Sequence, residues 1–352
     1  MTNVKRASIV TIAGTRPEII KLAEFNKKMK GKFKEDHILL YTGQHYSENM
    51  KEIFFDELGI QADYDLKCNS SDVELLRKQT VSFLKEVQPR YIIVYGDTYS
   101  TMAGTLAALE LKKIKVIHLE AGIRDLDMTI PEERVRTYVD SVSDYLIAPT
   151  ELARTFLYYE GIKDNVFVTG NLIFDVCKKM ARLADNHPVE KLPPSYLLLT
   201  MHRPENVDDP ENLARLAKHL STLGQKIVFP IHPRTRNNLI KYNITLPKNV
   251  IGIDAVGYLE FLYLLKNCDL VMTDSGGVTE EAMILKKPCI TLRHSTARWE
   301  TILLKANVLF PLDRKDSLGG VVSEMLKTRI TGNPYGTNVT EKTFDLVRKI
   351  TK

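Results

Sequence analysis

Short apolar runs recur along the chain and are separated by segments long enough for amphipathic helices. In the first half they are "ASIVTIAG", "HILLYTG", "RYIIVYGD", "KVIHLEAG", "DYLIAPT" and "NVFVTG". The second half repeats the plan with "YLLLTMHR", "KIVFPIHP", "VIGIDAVG", "LVMTDSGG", "PCITLRH" and "NVLFPL". Continuous apolar strands that alternate with helices predict parallel sheets covered on both faces. The pattern therefore predicts an α/β fold with two Rossmann-like domains.

The domain boundary is expected between residues 175 and 195, where Pro188, Pro193 and Pro194 interrupt any helix before the next strand. We assign residues 1–175 to an N-terminal domain and 176–352 to a C-terminal one. The last segment, "NVTEKTFDLVRKITK", predicts a helix capped by Asn338 or Thr340, and its docking is left open by the pattern.

Polar motifs follow the strands of both halves. They are "GTRPEIIK", "TGQHYSENM", "GDTYST" and "HLEAGIR" in the first half and "MHRPEN", "IHPRT" and "TDSGGVTEEA" in the second. Open α/β sheets bind their ligands at the carboxyl ends of the strands. A solvated surface would scatter such residues over both ends, so their placement predicts one cleft between two facing domains.

Composition narrows the class of ligand. The 352 residues are 44% hydrophobic and 26% charged, and the net charge of +5 comes from scattered Lys and Arg without an aromatic-interleaved basic stripe. Nucleic acid is therefore not favoured, whereas anionic small molecules fit. The four cysteines show no CxxC or Cys/His ligand spacing, which favours reduced core thiols over disulfides or a zinc site.

The N-terminus is interpreted as a first strand. Its apolar core, residues 7–13, is short for a signal peptide and leads into Gly-Thr-Arg-Pro rather than a small-residue cleavage site. No stretch approaches the ~20 apolar residues of a membrane span. We expect no membrane association and a cytoplasmic location.

"TDSGGVTEEA" suits a nucleotide. Ser275, Gly276 and Gly277 open a helix whose first N–H groups can hold a diphosphate, and Glu281 can accept both hydroxyls of a ribose. An ordinary capped helix is the alternative. The GxGxxG and GxxxxGK[ST] fingerprints are absent, so redox and ATP chemistry lose support and no cofactor or metal is expected.

"AGTRPEIIKL" predicts a second strand-to-helix turn. Arg16 lies ahead of Pro17 and Lys21 is reachable from the same end of the helix, which suits a phosphate or a carbonyl-rich base. Both cations could instead be surface residues, but the tight Gly14 turn favours the functional interpretation.

Acidic residues supply the candidate chemistry. Asp97 in "GDT" and Glu120 in "HLEAG" are expected to end neighbouring strands and to project into one pocket, where paired carboxylates can serve as acid and base. Glu132 in "TIPEER" is a third candidate, while Glu133 is more typical of a helix cap. Any one of these acids alone could be a cap.

Three histidines differ in how well they fit a role in the site. His202 in "MHRPEN" is a candidate acid, base or phosphate ligand at neutral pH, because polar residues crowd the same strand end. His118 is assigned mostly to packing, and His232 is a weaker candidate than His202.

Taken together, these residues closely resemble the non-hydrolysing UDP-N-acetylglucosamine 2-epimerase family. "GTRPEIIK", "TGQHYSENM", "GDT", "HLEAGIR", "PEER", "TGN", "HRPEN", "HP" and "DSGGVTEEA" occur in the family's order across residues 14–282. Hydrolysing relatives carry starts similar to "GTRADYGKL", whereas this chain has "GTRPEIIKL". The resemblance is therefore to the non-hydrolysing branch.

The resemblance implies a glycosyltransferase-B type fold, a homodimer, a UDP-binding second domain and reversible inversion at carbon 2 of a UDP-2-acetamido sugar. By position, the catalytic residues would be Asp97, Glu120, Glu132 and His202. The residues holding UDP and the sugar would be Arg16, Lys21, Ser275, Gly276, Gly277, Glu281 and, more loosely, Arg298.

Departures from the family pattern leave alternatives open. A short "KCNSSDVE" replaces a Gly-Thr-His-rich loop, and Pro204 stands where many bacterial members have a second Arg, so activation by a second UDP-sugar is not expected. Other motifs resemble the subfamily acting on UDP-2,3-diacetamido-glucuronate. Two other classes of protein remain as alternatives. A glycosyltransferase would need an acceptor cleft, and a UDP-sugar sensor would not need four catalytic residues. Incubation with UDP-N-acetylglucosamine alone distinguishes these classes from an epimerase.

Overall fold

The chain forms two compact units. The computed structural model describes residues 5–44 and 58–352, apart from the side chain of Glu35. The first unit comprises Met1–Val176 and Tyr335–Lys352, and the second comprises Cys177–Pro334. The second domain predicted from sequence, 176–352, differs from this division at its end, because the last segment packs on the first unit.

The first unit is built on a seven-stranded sheet with the order β3-β2-β1-β4-β5-β6-β7. The strands are β1 (Ile9–Ala13), β2 (His37–Tyr41), β3 (Tyr64–Asp65), β4 (Tyr91–Tyr95), β5 (Lys115–Leu119), β6 (Tyr145–Ala148) and β7 (Val166–Val168). All of its ladders are parallel. Six of the strands coincide with the predicted apolar runs, whereas β3 has two residues and is too short to leave a hydrophobic pattern.

Helices connect these strands. The connecting helices are α1 (Arg16–Phe33), α2 (Val73–Val87), α3 (Tyr99–Leu111), α4 (Pro131–Val142) and α5 (Glu151–Tyr159). Helix α6 (Ile173–Leu183) follows β7 and runs across the boundary between the units, and the C-terminal helix is α14 (Val339–Thr351). A 3₁₀ turn, Lys34–Asp36, follows α1. The centre of the sheet is fully apolar: Val10, Ile12, Ile92 and Val94 have no measurable exposure. Burial on both faces explains why these strands are continuous hydrophobic runs.

The second unit repeats the plan in a six-stranded sheet of order β10-β9-β8-β11-β12-β13. Its strands are β8 (Leu197–Thr200), β9 (Ile227–Ile231), β10 (Val250–Asp254), β11 (Leu270–Thr273), β12 (Cys289–Thr291) and β13 (Asn307–Leu309). Its helices are α7 (Pro204–Val207), α8 (Pro210–Ser221), α9 (Pro233–Lys241), α10 (Tyr258–Asn267), α11 (Gly276–Ile284), α12 (Trp299–Leu303) and α13 (Leu318–Met325), with a 3₁₀ turn at Ala184–Asn186. These two parallel sheets confirm the predicted α/β class with two Rossmann-like domains.

The C-terminal helix packs on the first unit through polar and aromatic contacts. The Asp175 carboxylate accepts a 2.7 Å hydrogen bond from Thr340 N, and Phe33 and Phe344 meet edge to face with centroids 5.9 Å apart. Asn338, one of the two residues predicted to cap this helix, is the N-cap of α14 and adopts a left-handed backbone conformation. Its docking was not readable from sequence because the partners lie far away in the chain.

Gly170 is where the segment after β7 meets the returning chain. Its φ of +110° is unfavourable for an L side chain, and a Cβ there would lie 2.4 Å from Tyr335 O and 2.6 Å from Val339 Cγ2. Gly161 also has a positive φ, +84°, but a Cβ at that position would meet no atom of the described residues within 4 Å. A side chain at Gly170 would therefore introduce both backbone strain and a steric clash, whereas a side chain at Gly161 would introduce strain alone.

We expect Gly170→Ala to lower the unfolding free energy and to expose the C-terminal helix to proteases. Strain in this backbone region costs about 1–3 kcal/mol, and the displaced Tyr335 segment adds to it. Urea unfolding and limited proteolysis measure the effect. Gly161→Ala is the matched control, since it carries strain without the clash, and an equal loss in both variants would contradict the role of the close approach.

Candidate active site

The turn after β1 requires a glycine. A Cβ on Gly14 would lie 1.9 Å from Ser100 Oγ and 2.2 Å from Thr42 Oγ1, so any side chain would displace both hydroxyls. Those hydroxyls are 2.7 Å apart, and Ser100 N and Oγ each donate to Gln44 Oε1 at 2.9 Å. The turns that follow β1, β2 and β4 are thereby fastened together.

Glu18 caps the start of α1 and also reaches the start of α3. Its Oε2 accepts from Gly14 N at 2.9 Å, Thr15 N at 2.7 Å and Thr15 Oγ1 at 2.9 Å. Its Oε1 accepts from Thr98 Oγ1 at 2.8 Å and from Thr101 Oγ1 at 3.3 Å. Burial raises the pKa of Glu18 to about 7, although these donors favour the carboxylate. This acid was not singled out from sequence, where "TRPE" matches a capping box.

Lys21 and Glu120 form a buried ion pair. The Lys21 ammonium lies 2.7 Å from Glu120 Oε2, and both side chains are less than one-tenth exposed. The ammonium also stands over the ring of Tyr95, 5.6 Å from its centroid. Two residues predicted for different tasks, one for binding and one for catalysis, are thus direct neighbours.

Glu120 leaves β5 in a left-handed conformation with a φ of 68°, which is uncommon for a residue other than glycine. It lines a small cavity together with Tyr95, Thr169, Asn171 and Thr343. Thr343 belongs to α14 and its hydroxyl donates to Thr169 Oγ1 at 2.8 Å. The returning C-terminal helix therefore walls the cavity at Glu120, a relation that no motif indicated.

Asp97 is held by an arginine that sequence reasoning missed. The Arg136 guanidinium pairs with Asp97 Oδ2 and, at 2.9 Å, with Glu133 Oε2. Glu133 also accepts from Asp125 N at 2.8 Å and Leu126 N at 3.0 Å, so it fixes the loop before α4 rather than capping the helix. Glu132 is half-buried in the first turn of α4.

His118, assigned to packing from sequence, is fully buried within a charged cluster. Its Nδ1 lies 2.7 Å from Asp140 Oδ1 and its Nε2 lies 2.8 Å from Gly96 O. Asp140 Oδ2 accepts from Arg124 Nη1 at 2.7 Å and Gly122 N at 3.0 Å. Burial alone would raise the pKa of Asp140, but His118 and Arg124 outweigh it and hold that pKa below its ordinary value.

In the second unit, Asp274 organises the turn that carries His202. Asp274 is fully buried and accepts from His202 N at 3.1 Å, Arg203 N at 2.9 Å and Asn206 Nδ2 at 3.2 Å. The His202 Nδ1 is 3.6 Å from the same carboxylate, and 42% of the side chain is exposed. Because β11 pairs with β8, the acid that precedes Ser275 lies beside this turn. Backbone hydrogen bonds therefore fix the turn that carries His202, and its imidazole is reachable from solvent.

The start of α11 is open. Ser275 is its N-cap, and Gly276 and Gly277 form its first turn. Among the described residues, a Cβ on Gly276 would meet no atom within 4 Å, and one on Gly277 would meet only Ser275 Oγ at 3.9 Å. Neither glycine has a positive φ. Backbone conformation and packing therefore do not demand glycine at these positions.

Two buried acids follow on α11. Glu281 is 6% exposed and accepts from the Tyr258 hydroxyl at 2.8 Å, which orients its carboxylate. Glu280 is fully buried, and its Oε1 lies 2.7 Å from Nε of Arg298. Arg298 precedes α12 and is 6% exposed, so it is a held cation rather than a mobile surface one.

The predicted residues fall into two groups. Arg16, Lys21, Asp97, Glu120 and Glu132 lie at carboxyl ends of strands or in the helix starts of the first unit, with Arg16 exposed at the start of α1. His202, Ser275, Gly276, Gly277, Glu281 and Arg298 lie in the second unit. Asp97 and Glu120 follow adjacent strands, as predicted, because Tyr95 pairs with Leu119. Most of "TGQHYSENM", residues 45–50, lies outside the described residues.

In residues 5–44 and 58–352 no group of three or more His, Cys, Asp or Glu side chains is placed to hold a metal ion. Over the same ranges no helix combines the length and apolarity needed to cross a bilayer.

Two Rossmann-like units, each with its polar groups after the strands, define an enzyme fold of the glycosyltransferase-B type. Comparison with known proteins specifies it further. The chain belongs to the UDP-N-acetylglucosamine 2-epimerase family, whose model matches residues 27–345, and this is a family of isomerases. The predicted family and enzyme class are confirmed.

Relatives cover nearly the whole chain. It is 42% identical to the UDP-N-acetylglucosamine 2-epimerase of Methanocaldococcus jannaschii, over 92% of this chain and 94% of that protein. The crystal structure of the M. jannaschii enzyme in complex with UDP-GlcNAc and UDP matches with a TM-score of 0.87 and 39% identity, covering 97% and 99% of the two chains. The UDP-2,3-diacetamido-2,3-dideoxy-D-glucuronate 2-epimerase of Pseudomonas aeruginosa is 37% identical, over 86% of this chain and 87% of that protein.

The raised pKa of Glu18 predicts a pH-dependent stability. Its folded pKa of about 7 exceeds the ordinary 4.5, so between these values the folded state holds a proton that the unfolded state has lost. The contribution is complete below pH 4.5 and is lost as the pH rises through about 7. Relative to Glu18→Gln, the unfolding free energy of the wild type should fall by on the order of 3 kcal/mol across this range.

Urea unfolding at several pH values measures the difference. Glu86→Gln, at an exposed position on α2, is the control and should track the wild type. A wild-type minus Glu18→Gln difference that stays constant from pH 4.5 to above 7 would mean that the five donors keep Glu18 ionised in the folded protein throughout.

Proposed function

We propose that this chain interconverts UDP-N-acetylglucosamine and UDP-N-acetylmannosamine by inversion at carbon 2. The observation that carries the proposal is the pair of carboxylates, Asp97 and Glu120, that follow the adjacent strands β4 and β5 in a chain of this family. A glycosyltransferase with the same fold has no need of two acids at neighbouring strand ends. A UDP-sugar sensor has no need of them either.

The reaction begins with loss of UDP because carbon 2 bears an acetamido nitrogen and has no adjacent carbonyl. As the bond from carbon 1 to the diphosphate oxygen breaks, positive charge grows at carbon 1 and acidifies the neighbouring C–H. A base takes that proton, which leaves UDP and a glycal with a double bond between carbons 1 and 2. Protonation of carbon 2 on the opposite face and return of UDP to carbon 1 complete the inversion without net oxidation.

The first unit would carry the ring chemistry. Asp97, Glu120 and Glu132 stabilise the cationic carbon 1 and move the proton at carbon 2, and Arg16 and Lys21 bind the diphosphate. The Lys21 ammonium is paired with Glu120 Oε2 at 2.7 Å. A bound diphosphate competes for this ammonium, so nucleotide binding would release the Glu120 carboxylate for the developing positive charge.

The second unit would hold UDP and contribute His202 as an acid or base. The open N-terminus of α11, with Ser275, Gly276 and Gly277, offers backbone N–H groups to the diphosphate. Glu281, oriented by Tyr258, accepts the ribose hydroxyls. Arg298, which is paired with Glu280, would bind the substrate.

A second candidate substrate is UDP-2,3-diacetamido-glucuronate, which the P. aeruginosa relative's name supports. The chemistry at carbon 2 is the same, and the sugars differ at carbons 3 and 6. Parallel assays with both nucleotide sugars decide between them by the ratio of kcat/KM. We further propose a homodimer in the cytoplasm, supported by the family resemblance, for which light scattering of the purified chain gives the oligomeric state.

The decisive assay is incubation with UDP-N-acetylglucosamine in heavy water, without an acceptor. The wild type should yield the manno isomer with one deuterium at carbon 2 and the anomeric proton retained. Asp97→Asn keeps the size of the side chain but cannot accept a proton, so turnover should fall by a factor on the order of 10² while UDP still binds. Asp164→Asn, at an exposed position, is the control.

Two results would remove the proposed roles. A product without deuterium at carbon 2 would rule out proton exchange at that carbon. Near-normal turnover by Asp97→Asn would transfer the chemistry to Glu120 or Glu132.

Glu281→Ala should weaken UDP binding by about 1–3 kcal/mol, because two ribose hydroxyls lose their acceptor. Calorimetric titration with UDP measures it, and Glu324→Ala, on the exposed side of α13, is the control. Tyr258→Phe should show a smaller loss, since the carboxylate remains but is less well oriented. Unchanged affinity in Glu281→Ala would exclude this residue from the ribose site.

A further inference from the structure

His118 stands between two groups that accept hydrogen bonds. Its Nδ1 is 2.7 Å from Asp140 Oδ1 and its Nε2 is 2.8 Å from the carbonyl oxygen of Gly96. A carbonyl oxygen cannot donate, so Nε2 must carry a proton. An ionised carboxylate cannot donate either, which requires a proton on Nδ1 as well.

We propose that His118 is a charged imidazolium that positions both acidic strand ends for the reaction. His118 is a positioning residue, because it would affect the reaction only through the placement of Asp97 and Glu120. The role rests on the proposed function, whereas the protonation state follows from the hydrogen bonds and charges around the ring.

The alternative is a neutral ring beside a protonated Asp140. Oδ2 of Asp140 already accepts from Arg124 Nη1 at 2.7 Å and from Gly122 N at 3.0 Å, and both contacts favour the ionised form. Arg124 is charged under all ordinary conditions. The pKa of Asp140 lies below its ordinary value because His118 and Arg124 outweigh burial, which by itself raises it. The proton therefore belongs on the ring.

Charge balance makes a buried imidazolium tolerable in free energy. The groups that face it are Asp140 from α4, Arg124 from the loop after β5 and, through Arg124, Glu160 at the end of α5. His118 and Arg124 supply two positive charges, and Asp140 and Glu160 supply two negative ones. A buried charge is stable when it is paired and hydrogen-bonded.

The cluster reaches the backbone on both sides of the two carboxylates. His118 binds the carbonyl of Gly96, the residue before Asp97, and Asp140 binds the N–H of Gly122, two residues after Glu120. Gly96 and Gly122 have φ values of +65° and +78°, so both turns depend on defined left-handed conformations. One ion pair therefore sets the exits of β4 and β5 together. A misplacement of about 1 Å at such a site lowers the rate by on the order of 10²-fold.

His37 provides an internal contrast in the same unit. It is also buried, but its Nε2 partner, Thr11 Oγ1 at 2.9 Å, is a hydroxyl that can donate. Burial lowers the pKa of His37 to about 4, so this ring is neutral at pH 7. Two buried histidines of one unit should thus differ in charge because their partners differ.

Nitrogen-15 NMR of the histidine-labelled wild type tests the charge. At about pH 8, where a histidine with the ordinary pKa of about 6.5 is neutral, both ring nitrogens of His118 should show the protonated signature. His37 should show one unprotonated nitrogen. His118→Gln removes one signal and assigns it. An unprotonated nitrogen on His118 at this pH would overturn the imidazolium.

Kinetics on the same protein test the positioning role. His118→Gln keeps a donor but no charge, so kcat should fall by on the order of 10²-fold while KM changes less than about threefold, since the nucleotide groups are untouched. His219→Gln, whose ring bonds the carbonyl of Leu312, is the control. A folded His118→Gln variant with normal kcat would overturn the role.

If that variant does not fold, the pH dependence of kcat in the wild type tests the positioning role instead. The alkaline loss of kcat should follow the loss of the second ring proton seen by NMR, and a kcat that stays constant through that loss would overturn positioning. Failure of the proposed function is distinct, because a wild type that leaves UDP-N-acetylglucosamine unchanged still reports the protonation state of His118.

Discussion

The parallel pairing of β4 with β5 is the constraint on which the polar end of the first unit depends. Tyr95 pairs with Leu119, so the chain leaves both strands at the same height and the next residues emerge side by side. Each exit is a left-handed turn, at Gly96 and at Glu120. Apolar burial sets the register of the strands, and the register in turn places two acids that a packed core could not tolerate without partners.

Those partners explain much of the surrounding structure. Lys21 comes from α1 to meet Glu120, Arg136 comes from α4 to meet Asp97, and Arg124 with His118 balances Asp140. Removing one member of such a pair leaves an uncompensated buried charge, which is more damaging than loss of the pair as a whole. The helices around the sheet are therefore tied to its acidic end by electrostatics as well as by apolar contact.

The second unit contains a buried ion pair, Glu280 with Arg298, but also relies on backbone donors. One of its buried acids, Asp274, is satisfied mainly by backbone N–H groups, and its helix α11 begins with backbone N–H groups instead of side-chain charge. Backbone donors suit an anion that must be bound and released, because they carry no full charge. Side-chain carboxylates suit a centre where charge develops and disappears. This contrast is a physical reason for the proposal that UDP is held mainly by the second unit and that the ring chemistry lies mainly in the first.

Sequence patterns predicted the strands well because each buried parallel strand is a continuous apolar run, and predicted the site motifs because polar residues follow those runs. They did not predict the partners Arg136, Asp140 and Asp274, since neither an ion pair nor a carboxylate that accepts from distant backbone N–H groups leaves a periodic signal in the sequence. Glu18 was not predicted as a site residue, because its sequence context matches an ordinary capping box. The docking of α14 depends on Gly170 and Asp175. Their contacts with the C-terminal segment could not be predicted, because the two segments are far apart along the chain.

The glycines show how structural and functional demands can be separated. Gly14 is fixed by the fold, because a Cβ there would overlap two hydroxyls that join three turns. Gly276 and Gly277 have ordinary φ values and open space around them, so the fold would accept alanine. Glycine in a helix costs about 1 kcal/mol relative to alanine. A chain with two such residues in the first turn of α11 gives up helix stability there, and the proposed approach of a diphosphate to the bare backbone would offset this loss.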